Sequence, residues 1–287
     1  MTLALPLVLA LSLSAPPPPP AVDWGKIPDA VGYSTLTPAQ KEQLARVLGD
    51  EFCYCGCPHT LLGCLTEHKE CRHAPRMGAL AARLAGLGLS SNEILKILTE
   101  YYAGFDAPKR ARLQTAGKPF GEASAPVTIV EYADFECPFC QQLRPKLEAF
   151  VKRNPGRVRL FFKPFPIAGH PHAEIAAEAA EWARDQGVFW EFYEAMFADP
   201  KNLDEDALEA IAEKLGKSGA DLRKALAERK YRDRVLASQA EGRRAGVVGT
   251  PTLFWNGRKH VVPDYSDTVL DFVLDDEEEW LTRGWKD

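Results

Sequence analysis

Seven cysteines punctuate this chain, and two of them stand apart. Cys137 and Cys140, in Cys137-Pro138-Phe139-Cys140, follow the apolar run Val127 to Ala133 and open a helical pattern. Two cysteines separated by two residues at a helix start form a dithiol able to cycle to a disulfide. The first backbone N–H groups of a helix lack intrahelical partners, and the helix dipole is positive there. A sulfur at that end is stabilised as the thiolate, its nucleophilic form. Pro138 suits the first helical position because it has no N–H to leave unpaired. Cys137 is therefore the expected attacking sulfur, and Cys140, one turn further in, the resolving one. The rival chemistry is half of a zinc site, which needs a second ligand pair. After Cys140 the chain offers only His170, His172 and His260 for that purpose. Neither a metal nor a cofactor is expected at this pair.

The other five cysteines, Cys53, Cys55, Cys57, Cys64 and Cys71, crowd into one short stretch. They cannot all pair among themselves, and three readings stay open. The first is two structural disulfides with one thiol left over. The second is a further redox centre that exchanges electrons with Cys137 and Cys140. The third is a thiophilic metal site drawing on His59, His68 or His73.

The elements that must position these groups follow from length and pattern. A chain of 287 residues, 46% hydrophobic, is long enough for about two domains with a sizeable core. Its net charge of −5 argues against nucleic-acid binding and gives no strong pull toward anionic membranes. The apolar run Leu3 to Leu13 is too short to span a bilayer. It fits the core of a secretory signal ending in small residues, although no basic flank precedes it. Export to the periplasm or cell envelope, with the segment cleaved or kept as an anchor, is the expectation. The layout read from composition is a signal over 1–15, a proline-rich linker over 16–36, a cysteine-rich module of three helices over 37–106, a linker over 107–120 and an α/β domain over 121–287.

Within the module, Thr37-Pro38-Ala39-Gln40 is a capping box, and Leu44, Val47 and Leu48 stripe the helix behind it. Met77, Leu80, Ala81 and Leu84 mark a second helix, and a third starts at Ser90, with Glu93 three residues on. In the α/β domain, Val127 to Ala133 reads as a central strand covered on both faces, broken only by Glu131. Pro145 is expected to kink or shorten the helix after Cys140. Arg157 to Lys163 is a second strand, and helices follow as far as residue 244. Thr250-Pro251 opens a third strand, Asn256-Gly257 makes a hairpin turn, and Lys259 to Val262 is its partner. The last helix turns Val269, Leu270, Phe272 and Val273 inward, with Asp275 to Glu279 as its solvated side.

Three stretches occur in a telling order: VTIVEYADFECPFCQQL, PFPIAGHPHAEIAAEAAEWARDQGVFWEFYEAMF and GVVGTPTLFWNGRKHVV. Together they resemble the DsbA-like branch of the thioredoxin superfamily. The resemblance implies an α/β thioredoxin fold with a helical domain inserted at about 170–244. It implies that Glu131 is a buried acid with a raised pKa, relaying the proton of Cys140. The reading of the residues alone leaves Glu131 free to pair with Lys163 on the next strand. The resemblance also implies a cis bond before Pro251 facing the dithiol, with Thr250 offering backbone hydrogen bonds to an extended client beside Pro138 and Phe139. From the residues alone, Pro251 could equally be a trans proline starting a strand. The implied partners are protein thiols and disulfides, with a membrane-bound redox partner as a further candidate and no nucleic acid.

The order helix, cysteine loop, helix, then ILTEYYAGFD resembles the soluble domain of the CcmH/CycL proteins of cytochrome c maturation. This loop departs from theirs in carrying C-x-C-x-C rather than a simple CxxC. The expected function is an envelope thiol:disulfide oxidoreductase, an oxidase or isomerase. The alternatives are a thiol reductase for apocytochrome c and a metal- or haem-handling protein that uses the N-terminal cluster.

Overall fold

The computed structural model describes residues 18–68, 71–105 and 109–284. The expected signal segment lies outside the described residues, as do 16, 17 and 106–108. The chain divides into two compact units, residues 1–98 and 99–287.

The first unit is helical: α1 (Pro38–Asp50), α2 (Leu61–Thr66), α3 (His73–Gly86) and α4 (Ser91–Ala103), whose last turns belong to the second unit. Its boundaries are set by local hydrogen bonds. The Thr37 N–H donates to Gln40 Oε1 at 2.9 Å and the Gln40 N–H to Thr37 Oγ1 at 3.3 Å. Ser90 and Glu93 do the same for α4, at 2.8 and 3.4 Å. Each reciprocal pair satisfies backbone donors that a helix start leaves open. Leu44, Val47 and Leu48 of α1 are buried, as are Met77, Leu80, Ala81 and Leu84 of α3, against which α1 packs. Helix α2 adds to the three expected; it is too short to show a periodic stripe and starts from a Thr60 cap. Residues 24–35, part of the expected linker, wind into three 3-10 turns that bury Val31.

The second unit is built on a four-stranded sheet in the order β2-β1-β3-β4: β1 (Val127–Ala133), β2 (Val158–Pro164), β3 (Thr252–Trp255) and β4 (Arg258–Lys259). β1 pairs parallel with β2 and antiparallel with β3, so Ile129 faces both Leu160 and Trp255. All of β1 except Thr128 is buried, as a strand covered on both faces requires. The crossover from β1 to β2 is α5 (Pro138–Arg153), which runs through Pro145 without ending. A proline there forfeits one backbone bond, and burial of Leu143, Leu147, Phe150 and Val151 on the same helix offsets that loss. Asn256 and Gly257, with φ of 47° and 85°, form the hairpin turn. Strand β4 is only two residues long, shorter than the expected Lys259 to Val262.

Five helices intervene between β2 and β3: α6 (Ala173–Asp185), α7 (Phe189–Ala198), α8 (Glu205–Lys214), α9 (Gly219–Ala227) and α10 (Arg232–Arg244). Trp182, Phe192, Tyr193 and Met196 from this group share one buried cluster with Phe135, Phe162, Cys137 and Cys140. The inserted helices thus form the wall behind the dithiol.

The closing helix, α11 (Asp267–Arg283), corrects one expectation. Asp276 and Glu277, read as solvated, are fully buried. Glu277 accepts from Arg258 Nε at 2.6 Å and from Arg110 Nη1 at 2.8 Å, and the Tyr101 hydroxyl donates to Asp276 at 2.6 Å. The helical period puts 276 and 277 on the same face as Val273, over the sheet. Buried charges persist there because each is paired; Arg258 also lies 4.2 Å over the rings of Tyr101 and Phe105. No helix among the described residues is long and apolar enough to cross a membrane.

Candidate active site

Strand β1 delivers the chain to a turn at 134–136, and Cys137 is the residue that caps α5, with Pro138 in its first turn. Cys137 is 5% exposed and Cys140 fully buried. Two acids shape this turn. Asp134 accepts from the Glu136 N–H at 2.8 Å, from the Ile167 N–H at 2.7 Å and meets His170 Nδ1 at 2.8 Å. Glu136 accepts from the His172 N–H at 2.8 Å. Both carboxylates, whose charge opposes a thiolate nearby, are thus engaged by the loop between β2 and α6. Burial works against the imidazolium of His170, but Asp134, Glu136 and Cys137 outweigh it and leave its pKa above the ordinary value.

The other wall is the turn before β3. The Thr250–Pro251 bond is cis, and the Cys137 thiol donates to the Thr250 carbonyl at 3.3 Å. Thr250 Oγ1 is buried with no hydrogen-bond partner among the described residues, and the Thr250 side chain favours the Cys137 thiolate. Two apolar side chains on these segments are exposed: Phe139, between the cysteines, is 65% exposed, and Val248, two residues before Thr250, 93%. Val248 was not singled out from the sequence, where only its place beside Val247, outside any strand, marked it.

The two sulfurs differ sharply in acidity. The pKa of Cys137 is lowered to about 5. The main cause is the thiol of Cys140 donating to it; burial opposes this, and Thr250 and the backbone N–H groups of Cys140 and Phe139 add to it. The same arrangement pushes Cys140 far above the ordinary thiol range, through burial first, then its donation to Cys137 and the charge of Glu131. Glu131 is itself pushed up to about 8, by burial and then by the charges of Glu148 and Cys137. Neither of its oxygens has a hydrogen-bond partner among the described residues. Lys163 is not that partner: its ammonium contacts Glu241 and the Gln114 carbonyl. The register explains why. Lys163 lies opposite Tyr132, whereas Glu131 lies opposite Phe162, and successive side chains along a strand point to opposite faces.

The remaining cysteines belong to the first unit. Cys53 Sγ lies 3.2 Å from Cys71 Sγ, and Cys57 Sγ lies 3.0 Å from both Cys55 and Cys64. All seven cysteines are free thiols in the structure. His59 and His68 meet through their Nε2 atoms at 3.0 Å, and His73 is buried at the first turn of α3.

The sequence profile described as thioredoxin matches residues 115–275, more than half of the chain. This chain belongs to the thioredoxin family. The thioredoxin-family match contains all four strands of the sheet and both sulfurs of the dithiol. Over 144 residues the chain is 40% identical to the Na(+)/H(+) antiporter NhaA 3 of Salinispora tropica, which covers 50% of this chain and 22% of that protein. The chain therefore spans about a fifth of the length of that relative. Over 151 residues it is 30% identical to the probable disulfide bond formation protein D of Bacillus anthracis, covering 48% of this chain and 68% of that protein. A thioredoxin-like oxidoreductase from Silicibacter pomeroyi DSS-3 shares the fold, with a TM-score of 0.50 at 23% identity over 63% of this chain and 97% of that one. The second unit thus has a thioredoxin-like fold, a sheet with flanking and inserted helices.

Proposed function

We propose that this chain is a thiol:disulfide oxidoreductase that exchanges disulfides with protein substrates through Cys137 and Cys140, with client oxidation as the favoured direction. One observation carries the reading. Cys137 stands at the N-cap of α5 with its sulfur 3.3 Å from the Thr250 carbonyl and a buried thiol, Cys140, that favours its thiolate form.

The cycle begins with the Cys137–Cys140 disulfide. A client thiolate attacks Cys137 Sγ; the new client–Cys137 bond forms, the Cys137–Cys140 bond breaks, and its electron pair leaves on Cys140. Buried as it is, Cys140 leaves well only if it takes a proton, and Glu131, mostly protonated at neutral pH, supplies it. A second client thiolate then attacks its own partner sulfur and expels Cys137. With a pKa of about 5, Cys137 departs readily. The client gains a disulfide, and the enzyme keeps both electrons as a thiolate and a thiol. Thr250 and Pro251 present backbone groups to an extended client segment, while Pro138, Phe139 and Val248 give it an apolar seat.

The name of the Bacillus anthracis relative supports disulfide formation as the reaction class. A location in the cell envelope, with residues 1–15 as the signal and a membrane-bound partner that reoxidises the dithiol, completes this proposal. The helix and loop order of the first unit resembles that of the CcmH/CycL proteins, so apocytochrome c is a client to be tried.

The reduction potential of the Cys137/Cys140 pair tests the direction. Stabilising the reduced thiolate makes the disulfide a stronger oxidant, so the potential should lie above about −200 mV. The reduced form should also melt at a higher temperature than the disulfide form. Because the folded-state pKa of Cys137 is depressed, this stabilisation is complete above pH 9, shrinks as the pH falls and vanishes below about 5. A potential near about −270 mV, with no such thermal gap, would make the chain a reductant.

A further inference from the structure

Exchange at Cys137 leaves the other cysteine group unexplained. The Sγ atoms of Cys53, Cys55, Cys64 and Cys71 all lie within 4.8 Å of one another. They come from three places in the first unit: the loop after α1, helix α2 and the turn before α3. Cys53 and Cys64 are buried, Cys55 and Cys71 half-buried. Cys64 and Cys71 line an opening of about 320 Å³ beside Lys26 and Pro28, which gives the group a way in from solvent.

A second donor set shares Cys64, with Cys57 and His59 completing it within the same distance. His59 adds an independent observation. Its Nδ1 is buried with no hydrogen-bond partner among the described residues, while its Nε2 meets His68. With the Nε2 proton in that contact, Nδ1 keeps an open lone pair, the arrangement that ligating histidines adopt.

We propose that the first unit binds one thiophilic d10 cation, Zn2+ or Cu+, through the sulfurs of Cys53, Cys55, Cys64 and Cys71. Soft thiolate donors select these ions over Mg2+ and Ca2+. Sulfurs placed about 2.3 Å from Zn2+ at tetrahedral corners stand about 3.8 Å apart. The 3.2 Å contact between Cys53 and Cys71 opens to that spacing with a shift of a few tenths of an ångström at each residue. Cys53 and Cys64 are buried, and metal binding draws the protons from the thiols that ligate it. Each ligating thiol releases its proton to solvent, and no electrons are transferred.

The test uses the full chain, reduced and freed of metal without oxygen, then titrated with Co2+ as a spectroscopic probe and with Zn2+ and Cu+ in separate arms. One Co2+ per chain should bind, with sulfur-to-metal charge-transfer bands and tetrahedral ligand-field bands, and the tighter of the other two arms names the ion. Cys53→Ser and Cys71→Ser should each weaken binding at least about a hundredfold, and Cys57→Ser less than about tenfold. Circular dichroism checks that the variants fold; Cys55→Ser, at a half-buried position, replaces any that does not. The Cys137→Ser/Cys140→Ser double variant should bind metal as the parent does, which separates this site from the exchange reaction. Reduced chain that takes up no metal while all seven thiols titrate overturns the proposal. So does a series in which Cys57→Ser abolishes binding and Cys53→Ser does not.

Discussion

Cys137→Ser should reduce client oxidation to background, a loss on the order of a thousandfold or more, while Cys140→Ser should lose oxidation as well but trap clients at Cys137. The two outcomes differ because the two sulfurs differ. At pH 7 a thiol with a pKa of about 5 is about 99% thiolate, whereas a serine hydroxyl is not ionised at all. In Cys140→Ser no Cys137–Cys140 disulfide can form to start the cycle, but the Cys137 thiolate still attacks a client disulfide and expels one client thiolate, and no sulfur at 140 remains to resolve the mixed disulfide. Client–Cys137 adducts should therefore accumulate and appear on non-reducing gels, disappearing with reductant. The donor behind the sulfur can be separated from the resolving role. Cys140→Ala removes the hydrogen bond that most lowers the Cys137 pKa, whereas Cys140→Ser keeps a hydroxyl donor in its place. Thiolate absorbance against pH should show Cys137 titrating higher in the alanine variant than in the serine variant. Equal titrations would mean that the helix end and Thr250 alone set its acidity, and a lack of adducts in Cys140→Ser would remove Cys137 from the mechanism.

Glu131→Gln should make the protein more stable and the enzyme slower. The carboxyl is buried without a hydrogen-bond partner among the described residues, and its pKa rises from 4.5 to about 8 on folding. For an acid whose folded pKa is raised, the cost is absent below pH 4.5. It grows as the pH rises, because the unfolded chain ionises first, and it levels off above 8. At about 1.4 kcal/mol per pH unit, glutamine should stabilise the fold by about 3 kcal/mol at pH 7 and by almost nothing at pH 4. Denaturant unfolding at the two pH values measures this difference. Over the same range, exchange should slow on the order of a hundredfold, because glutamine cannot give a proton to Cys140 as it leaves. A variant that is stabilised but equally fast would keep the burial argument and end the relay; a variant with unchanged stability would end both.

How much of this was readable in advance depends on how far apart the determining residues lie. Thr37 with Gln40, and Ser90 with Glu93, specify helix starts within four residues, and the structure forms both pairs. The strand before Cys137, the proline at the head of α5 and the Asn256-Gly257 turn are equally local. Backbone hydrogen bonding and side-chain period act over a few residues, so such features are written directly in the chain. Partner choice is not. Asp276 and Glu277 sit in a run of acids that looks like a solvated helix face, yet Tyr101, 175 positions away, lies over Asp276. Likewise nothing near Asp134 announces that Ile167 and His170 will take up its charge.

By itself the sequence determined where α1, α5 and β1 begin, which two sulfurs stand at the head of α5 and which acid interrupts β1. Only the tertiary structure decided that Lys163 turns toward Glu241 and leaves Glu131 alone in the core. It likewise decided that Thr250 lies against Cys137 and that five cysteines from separate turns converge. Those outcomes depend on which faces meet when distant segments pack, and burial and charge pairing exist only once they have met.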